Sequence, residues 1–153
     1  MSLLLLQSCS NSKVETREQC PAIELYSGYF YKIIKKSIQD GELRSDMDIR
    51  ILSAKHGLIR PDEAISYYDQ QMDTERADQL RPAVVAELRD LITEEGYNHV
   101  VVNMGAKYRS AIKNFNRGLD VKVDFIEGAG IGYKGHKLKR FVRGDDTVLG
   151  VST

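Results

Sequence analysis

The residues richest in chemistry fall in four short stretches. Cys9, Ser10, Asn11 and Lys13 close the opening "LLLLQSCSNSK", and Ser53, Lys55, His56 and Gly57 make up most of "SAKHG". Gly105, Lys107, Tyr108 and Arg109 follow in "MGAKYR", and Glu127 and Gly128 head "EGAGIG". A lysine beside a thiol favours the nucleophilic thiolate. Lysine and arginine are common ligands of phosphate oxygens, and a tyrosine ring gives a base something to stack on. Lys13, Lys55 and Arg109 suit the first role, and Tyr26, Tyr68 or Tyr108 the second. Cleavage of an N-glycosidic bond would need a carboxylate to stabilise positive charge on the sugar or orient water, plus an acid or hydrogen bond for the departing base. Asp62 or Glu127 could supply the carboxylate and His56 the acid.

Each of these residues also has a plainer role. Cys9 can be a small buried residue at a strand end, and Lys13 a surface lysine. Lys55 stands between a buried strand and Gly57, where a loop residue more often serves function. His56 stays open between a structural and a chemical role. Asp62 and Glu127 can simply cap backbone amides. No Walker A sequence, zinc-type cysteine pairing or H-E-x-x-H is present, and the histidines at 56, 99 and 136 are scattered, so no metal or cofactor is expected. The segment "EGAGIG" lacks the G-x-G-x-x-G spacing of a dinucleotide loop and lies too late in the chain to open that fold. Its glycines still allow close backbone approach, and amides at a helix start bind anions, so phosphate or carboxylate recognition fits there.

These stretches need elements to hold them. Leu3 to Gln7 reads as a strand buried on both faces, ending at the cysteine. From Pro21 the spacing of Ile23, Tyr26, Phe30, Ile33, Ile34 and Ile38 predicts a helix with Lys32, Lys35, Lys36 and Gln39 on its other side, stopped by Asp40-Gly41. Asp48 to Leu52 is a second strand, followed by the "SAKHG" turn and a loop from Pro61-Asp62 to Asp69. Leu80, Val84, Leu88, Leu91 and Ile92 predict a long helix ended by Glu95-Gly96, in which Pro82 should make a kink or start a second helix. His99 to Met104 is a third strand, Gly105 to Phe115 a short helix, Val121 to Ile126 a fourth strand, and a basic helix runs to Arg143-Gly144. Strands alternating with helices predict a single α/β domain over residues 1–153, a three-layer α/β/α arrangement around a mostly parallel sheet of about four strands, with residues 144–153 as a loosely attached tail. Ligands of such sheets bind outside the carboxyl ends of the strands, where all four stretches fall.

The four opening leucines invite a different reading, as the end of an export signal. That signal needs a basic n-region and an apolar core of about 7 to 15 residues, and neither is found. With no stretch near the roughly 18 apolar residues of a membrane span, a cytoplasmic protein without a membrane partner is expected, its two cysteines as thiols. The formal charge is zero, but residues 1–106 carry 12 basic and 17 acidic side chains, a net of −5, whereas residues 107–143 carry 10 against 3, a net of +7. Such asymmetry marks either a nucleic-acid face or a solvated helix with dispersed lysines.

The blocks "LLLLQSCSNSK", "ELYSGYF", "ILSAKHGLIRPDEAISYYD", "NMGAKYRSAI" and "IEGAGIGYKGHKLKRF" resemble, in order, those of a family of small uncharacterised domains of bacteria, archaea and phages related to the peroxide-stress protein YaaA. The likeness runs from Leu3 to about Phe141, and "SAKHGL" with its following proline is the most specific part. It implies a fold of the uracil-DNA glycosylase type and, for YaaA-like proteins, DNA binding and protection from oxidative damage. As site positions it implies Cys9, Ser10, Lys13, Tyr26, Ser53, Lys55, His56, Gly57, Asp62, Tyr68, Gly105, Tyr108, Arg109, Glu127 and Gly128. The chain lacks the extra length of YaaA itself.

Residues and resemblance together predict a protein that binds a nucleobase, nucleotide or nucleic acid at the strand ends, with base modification or repair at an N-glycosidic bond as the associated chemistry. The alternatives are a noncatalytic nucleic-acid-binding stress-response protein using the basic segment 134–143, and a thiol enzyme using Cys9 with Cys20 as its resolving partner.

Overall fold

The computed structural model describes residues 2–15 and 18–149. Its central sheet has five strands in the order β4-β3-β1-β6-β7: β1 (Leu3–Ser8), β3 (Met47–Ser53), β4 (Gly57–Ile59), β6 (His99–Asn103) and β7 (Lys122–Phe125). β3, β1, β6 and β7 run parallel, and β4 lies antiparallel on the edge. The four expected strands are thus the parallel ones. The fifth, three residues long, is too short to show a period, and it forms because Gly57 at φ +75° lets "SAKHGLI" turn back on β3. A separate two-stranded pair joins β2 (Cys20–Pro21) to β5 (Ala64–Ile65).

Leu3 to Leu6 are all buried because both faces of β1 are covered. On one face Leu4 and Leu6 join Val100, Val102 and the Ala77, Val84, Leu88 and Ile92 row of helix α3 (Thr74–Glu95). On the other, Leu3, Leu5 and Val101 meet Ile34 of helix α2 (Tyr29–Gln39) and Leu138 and Phe141 of helix α5 (Ile131–Val142). Helix α4 (Ala106–Ala111) packs on α3.

The predicted helix from Pro21 is in fact two. A short helix α1 (Ala22–Leu25) ends at Tyr26, whose extended backbone (φ −78°, ψ 124°) forms a β-bridge with Lys13, and α2 starts afresh after Gly28. That bridge ties the loop after β1 to the helices, a long-range pairing that helical spacing cannot reveal. The long helix α3, by contrast, runs unbroken through Pro82. It is held at its start by Asp73, whose carboxylate accepts from the Arg76 amide at 2.7 Å, and stopped by Gly96 at φ +69°. The helix predicted to reach Phe115 stops at Ala111 and continues as turns, with Asn114 at φ +64°. A 3-10 turn at Asp146–Leu149 carries Val148 and Leu149 against the second apolar cluster, and Arg44 bonds Asp146 at 2.5 Å. The rest of the tail, residues 150–153, lies outside the described residues.

Candidate functional site at the strand carboxyl ends

The chain goes from β1 to β3 on one side and then crosses to β6 on the other, so β1 and β6 flank the point where strand order reverses. A crevice opens at such a point beyond the strand ends. Its floor is a pair of amides: Asn103, last residue of β6, donates to Gln7 Oε1 at 2.9 Å. Both side chains are 1% exposed in a sheet otherwise apolar there. The Asn103 Oδ1 atom is buried with no hydrogen-bond partner, a costly state that a donor from a ligand would relieve. Across the crevice Cys9 Sγ lies 3.1 Å from Tyr108 Oη, joining the loops after β1 and β6.

Beside this, the loops after β1 and β3 meet at Tyr68. Its hydroxyl lies 2.6 Å from that of Tyr26 and 2.8 Å from Ser53 Oγ, forming a buried chain of hydroxyls. Ser53 Oγ also accepts from the amides of Lys55 and His56, at 3.1 and 3.0 Å, which fixes the turn carrying both. Arg76 of α3 clamps the same turn by donating to the Ala54 and Lys55 carbonyls, at 2.7 and 2.8 Å. The result is a ring flanked by cations. Lys13 Nζ sits 4.6 Å and Lys55 Nζ 5.9 Å from the Tyr68 centroid, with the His56 ring edge-on at 5.4 Å. Burial pushes the Tyr26 hydroxyl up to about 12 and that of Tyr68 far above the usual tyrosine range, so both stay protonated and act as hydrogen-bonding groups. Partial burial, and then the neighbouring Lys55 charge, holds the His56 imidazole below its ordinary value.

The remaining sequence-predicted residues divide. Ser10 accepts from the Gly28 amide at 3.2 Å and anchors the start of α2. Gly57 makes the β3–β4 reversal, and Gly105 starts α4. Tyr26 and Tyr68 are buried, so they hold the floor and offer no face to a base. Arg109 is engaged: it donates to the Met104 carbonyl at 3.0 Å and to Glu127 at 3.2 Å, and stacks on Phe125 at 4.3 Å. Glu127 is exposed in that pair, and Gly128 packs under the Tyr133 ring. Asp62 pairs with Arg60 at 3.0 Å on an exposed turn. Neither carboxylate joins the Lys13–Tyr68–Lys55 group, because each is held by an arginine close to it in its own loop or in the neighbouring strand-end segment. Among the described residues no cluster of three or more His, Cys, Asp or Glu is placed to hold a metal.

Gln7, Asn103, Tyr31 and Arg76 are participants that side-chain type alone did not single out. The signal for the amides was a polar residue closing an otherwise apolar run, "LLLLQ" and "VVVN". Tyr31 donates to the Ser8 carbonyl at 2.8 Å and packs on Tyr26 at 5.2 Å.

Fold and site together define an α/β protein with a mostly parallel sheet and a polar, lysine-flanked crevice at its strand ends. The chain belongs to the Family of unknown function (DUF6884), whose profile matches residues 4–140. No curated protein matches it in sequence. Among solved structures it is similar in fold to that described as "Crystal structure of AF0587, a protein of unknown function", with a TM-score of 0.58 and 12% identity. The match covers 94% of this chain but 45% of that one, so this chain spans under half the length of AF0587. No helix among the described residues is long and apolar enough to cross a membrane.

Proposed function

We propose that this protein binds a nucleobase, nucleotide or nucleic acid at the carboxyl ends of β1, β3 and β6. The observation that carries the reading is the convergence of Lys13 and Lys55, from loops after two adjacent parallel strands, on one ring held by a buried hydroxyl chain. Two ammonium groups set this way favour an anionic group such as phosphate. Gln7, held by Asn103, lines the cleft beside Ser10 and Tyr31, and its amide is a polar group suited to a base edge. The motif resemblance to YaaA-related domains is in keeping with such a ligand. The two separate apolar clusters support a sheet that forms the middle of three layers.

The reading is one of binding. Asp62 and Glu127 sit in ion pairs with arginines, and the buried thiol of Cys9 is shared with Tyr108, so neither glycosidic nor thiol chemistry gains support from the geometry. Thermal unfolding against free bases, nucleosides, nucleotides and short oligonucleotides tests it. A ligand at about 100 times its dissociation constant adds about 2.7 kcal/mol, a rise of roughly 5 to 10 °C for a chain of this size. Lys13→Ala and Lys55→Ala should each lose most of that rise. A Lys55→Ala protein with unchanged affinity, or no rise with any of these ligands, would overturn the proposal.

A further inference from the structure

A second cavity lies between α2 and α5, a groove of about 550 Å³. Tyr29, Lys32, Lys35, Lys36, Lys139 and Arg143 line it, five cations and an aromatic ring. Some of this charge is already used. Lys35 donates to the Tyr26 carbonyl at 3.0 Å, and Lys36 and Arg143 share Asp40, at 3.2 and 2.9 Å. Lys32 and Lys139 are exposed and have no carboxylate partner among the described residues. One carboxylate thus serves five cations whose aliphatic stems, with Ile33, form most of the groove surface, and the charged rim favours a polyanion.

Tyr29 says which kind. It lines this groove and also the smaller cleft, about 290 Å³, walled by Gln7, Cys9, Ser10 and Ile131, so Tyr29 borders both cavities. The ring is 45% exposed, yet it is fixed from behind. A Cβ at Gly135 of α5 would lie 2.3 Å from Tyr29 Cε2, so the glycine is what lets the ring lie flush on the helix. A half-exposed aromatic face, held rigid beside a row of lysines, is the pattern that stacks an unpaired base while cations track its backbone. A duplex keeps its bases stacked inside and gives such a ring nothing to receive.

We infer that a single-stranded nucleic acid lies along the α2–α5 groove, stacks a base on Tyr29 and delivers the next nucleotide into the strand-end cleft. The inference rests on the cleft reading above and adds its substrate class, a single-stranded chain rather than a free nucleotide. Lys32 and Lys139 neutralise phosphates, Tyr29 turns the chain, and Gln7, which lines the cleft and is held by Asn103, meets the delivered base.

The test is fluorescence anisotropy with labelled single-stranded DNA and RNA of about ten nucleotides, enough for one binding groove, with the matching duplex as a third arm. Tyr29→Ala should weaken single-strand binding roughly tenfold, and Tyr29→Phe should restore it, since stacking needs the ring and not the hydroxyl. Lys32→Glu with Lys139→Glu should weaken it further and flatten the slope of log K against log salt, measured between about 50 and 200 mM, by roughly 1.4 or more. Melting temperatures establish that each variant is folded. Unchanged binding in the groove variants, or a duplex that binds as tightly as the single strand, overturns the inference. If Lys13→Ala and Lys55→Ala alone reduce binding, the groove is refuted and the cleft stands. If the groove variants alone reduce it, the cleft reading falls and the continuous path falls with it.

Discussion

At the residue scale the site is governed by how Ser53, Tyr68 and Tyr26 satisfy one another. Each hydroxyl is buried and bonded, so the chain is rigid and the ring of Tyr68 is held where two lysines can lie over it. His56 adds a pH lever. Its imidazole titrates below the ordinary 6.5, chiefly through burial and then through Lys55, so it is neutral at pH 7. The unfolded state takes up the proton first as pH falls, so any stability that neutral His56 contributes is present above the ordinary value and is lost toward acid. An anion bound beside Lys55 reverses that preference by favouring the protonated ring. Affinity for an anionic nucleotide should therefore be flat above neutrality and rise as pH falls below the ordinary histidine value, and His56→Gln should flatten the profile. Titrations of both proteins over that range check this; a profile unchanged by the substitution would remove His56 from the site.

The elements explain why the cations arrive where they do. Lys55 and His56 ride a turn between β3 and the short antiparallel β4, and that turn is clamped by Arg76 from the first turn of α3. Gly57 closes it at φ +75°, with Val84 Cγ2 3.4 Å from where a Cβ would sit. Gly57→Ala would force an alanine into the left-handed region against a helix, and should cost about 1 to 2 kcal/mol. The measurement is a lower urea midpoint with an unchanged denaturant slope. Binding should weaken too, because the turn that carries Lys55 is the segment under strain. On the opposite side, the Lys13–Tyr26 bridge splits the expected helix and brings the loop after β1 to the same place.

For the whole molecule the informative feature is a polar pair where the sheet would be more stable without one. Gln7 and Asn103 continue rows of leucine and valine, and they stand where the strand order reverses. Replacing both, Gln7→Leu with Asn103→Leu, removes the unpaired Asn103 acceptor and should leave stability unchanged or raised by about 1 kcal/mol, while the ligand-induced rise in melting temperature disappears. Asn103→Leu alone leaves Gln7 Oε1 buried and unpaired, and should cost about 1 to 3 kcal/mol. Chemical denaturation of the three proteins, with and without nucleotide, decides it. A double variant that still responds fully to ligand would assign the pair a purely structural role.

The sequence by itself determined the alternation of strands and helices, the two-faced burial of β1 and the placing of Cys9, Lys13, Ser53, Lys55 and Tyr108 at strand ends. These follow from local periodicity and from turn residues, which act over a few positions. Tertiary structure alone decided which of them meet. Arg109, Glu127 and Asp62 have the right chemistry for a site but are drawn into ion pairs, and Tyr26 and Tyr68 have the right rings but are buried. Gln7 with Asn103 and Tyr29 with Gly135 come together across 96 and 106 positions of chain. Proximity of that kind is set by strand order and helix packing, and no local pattern of residues encodes it.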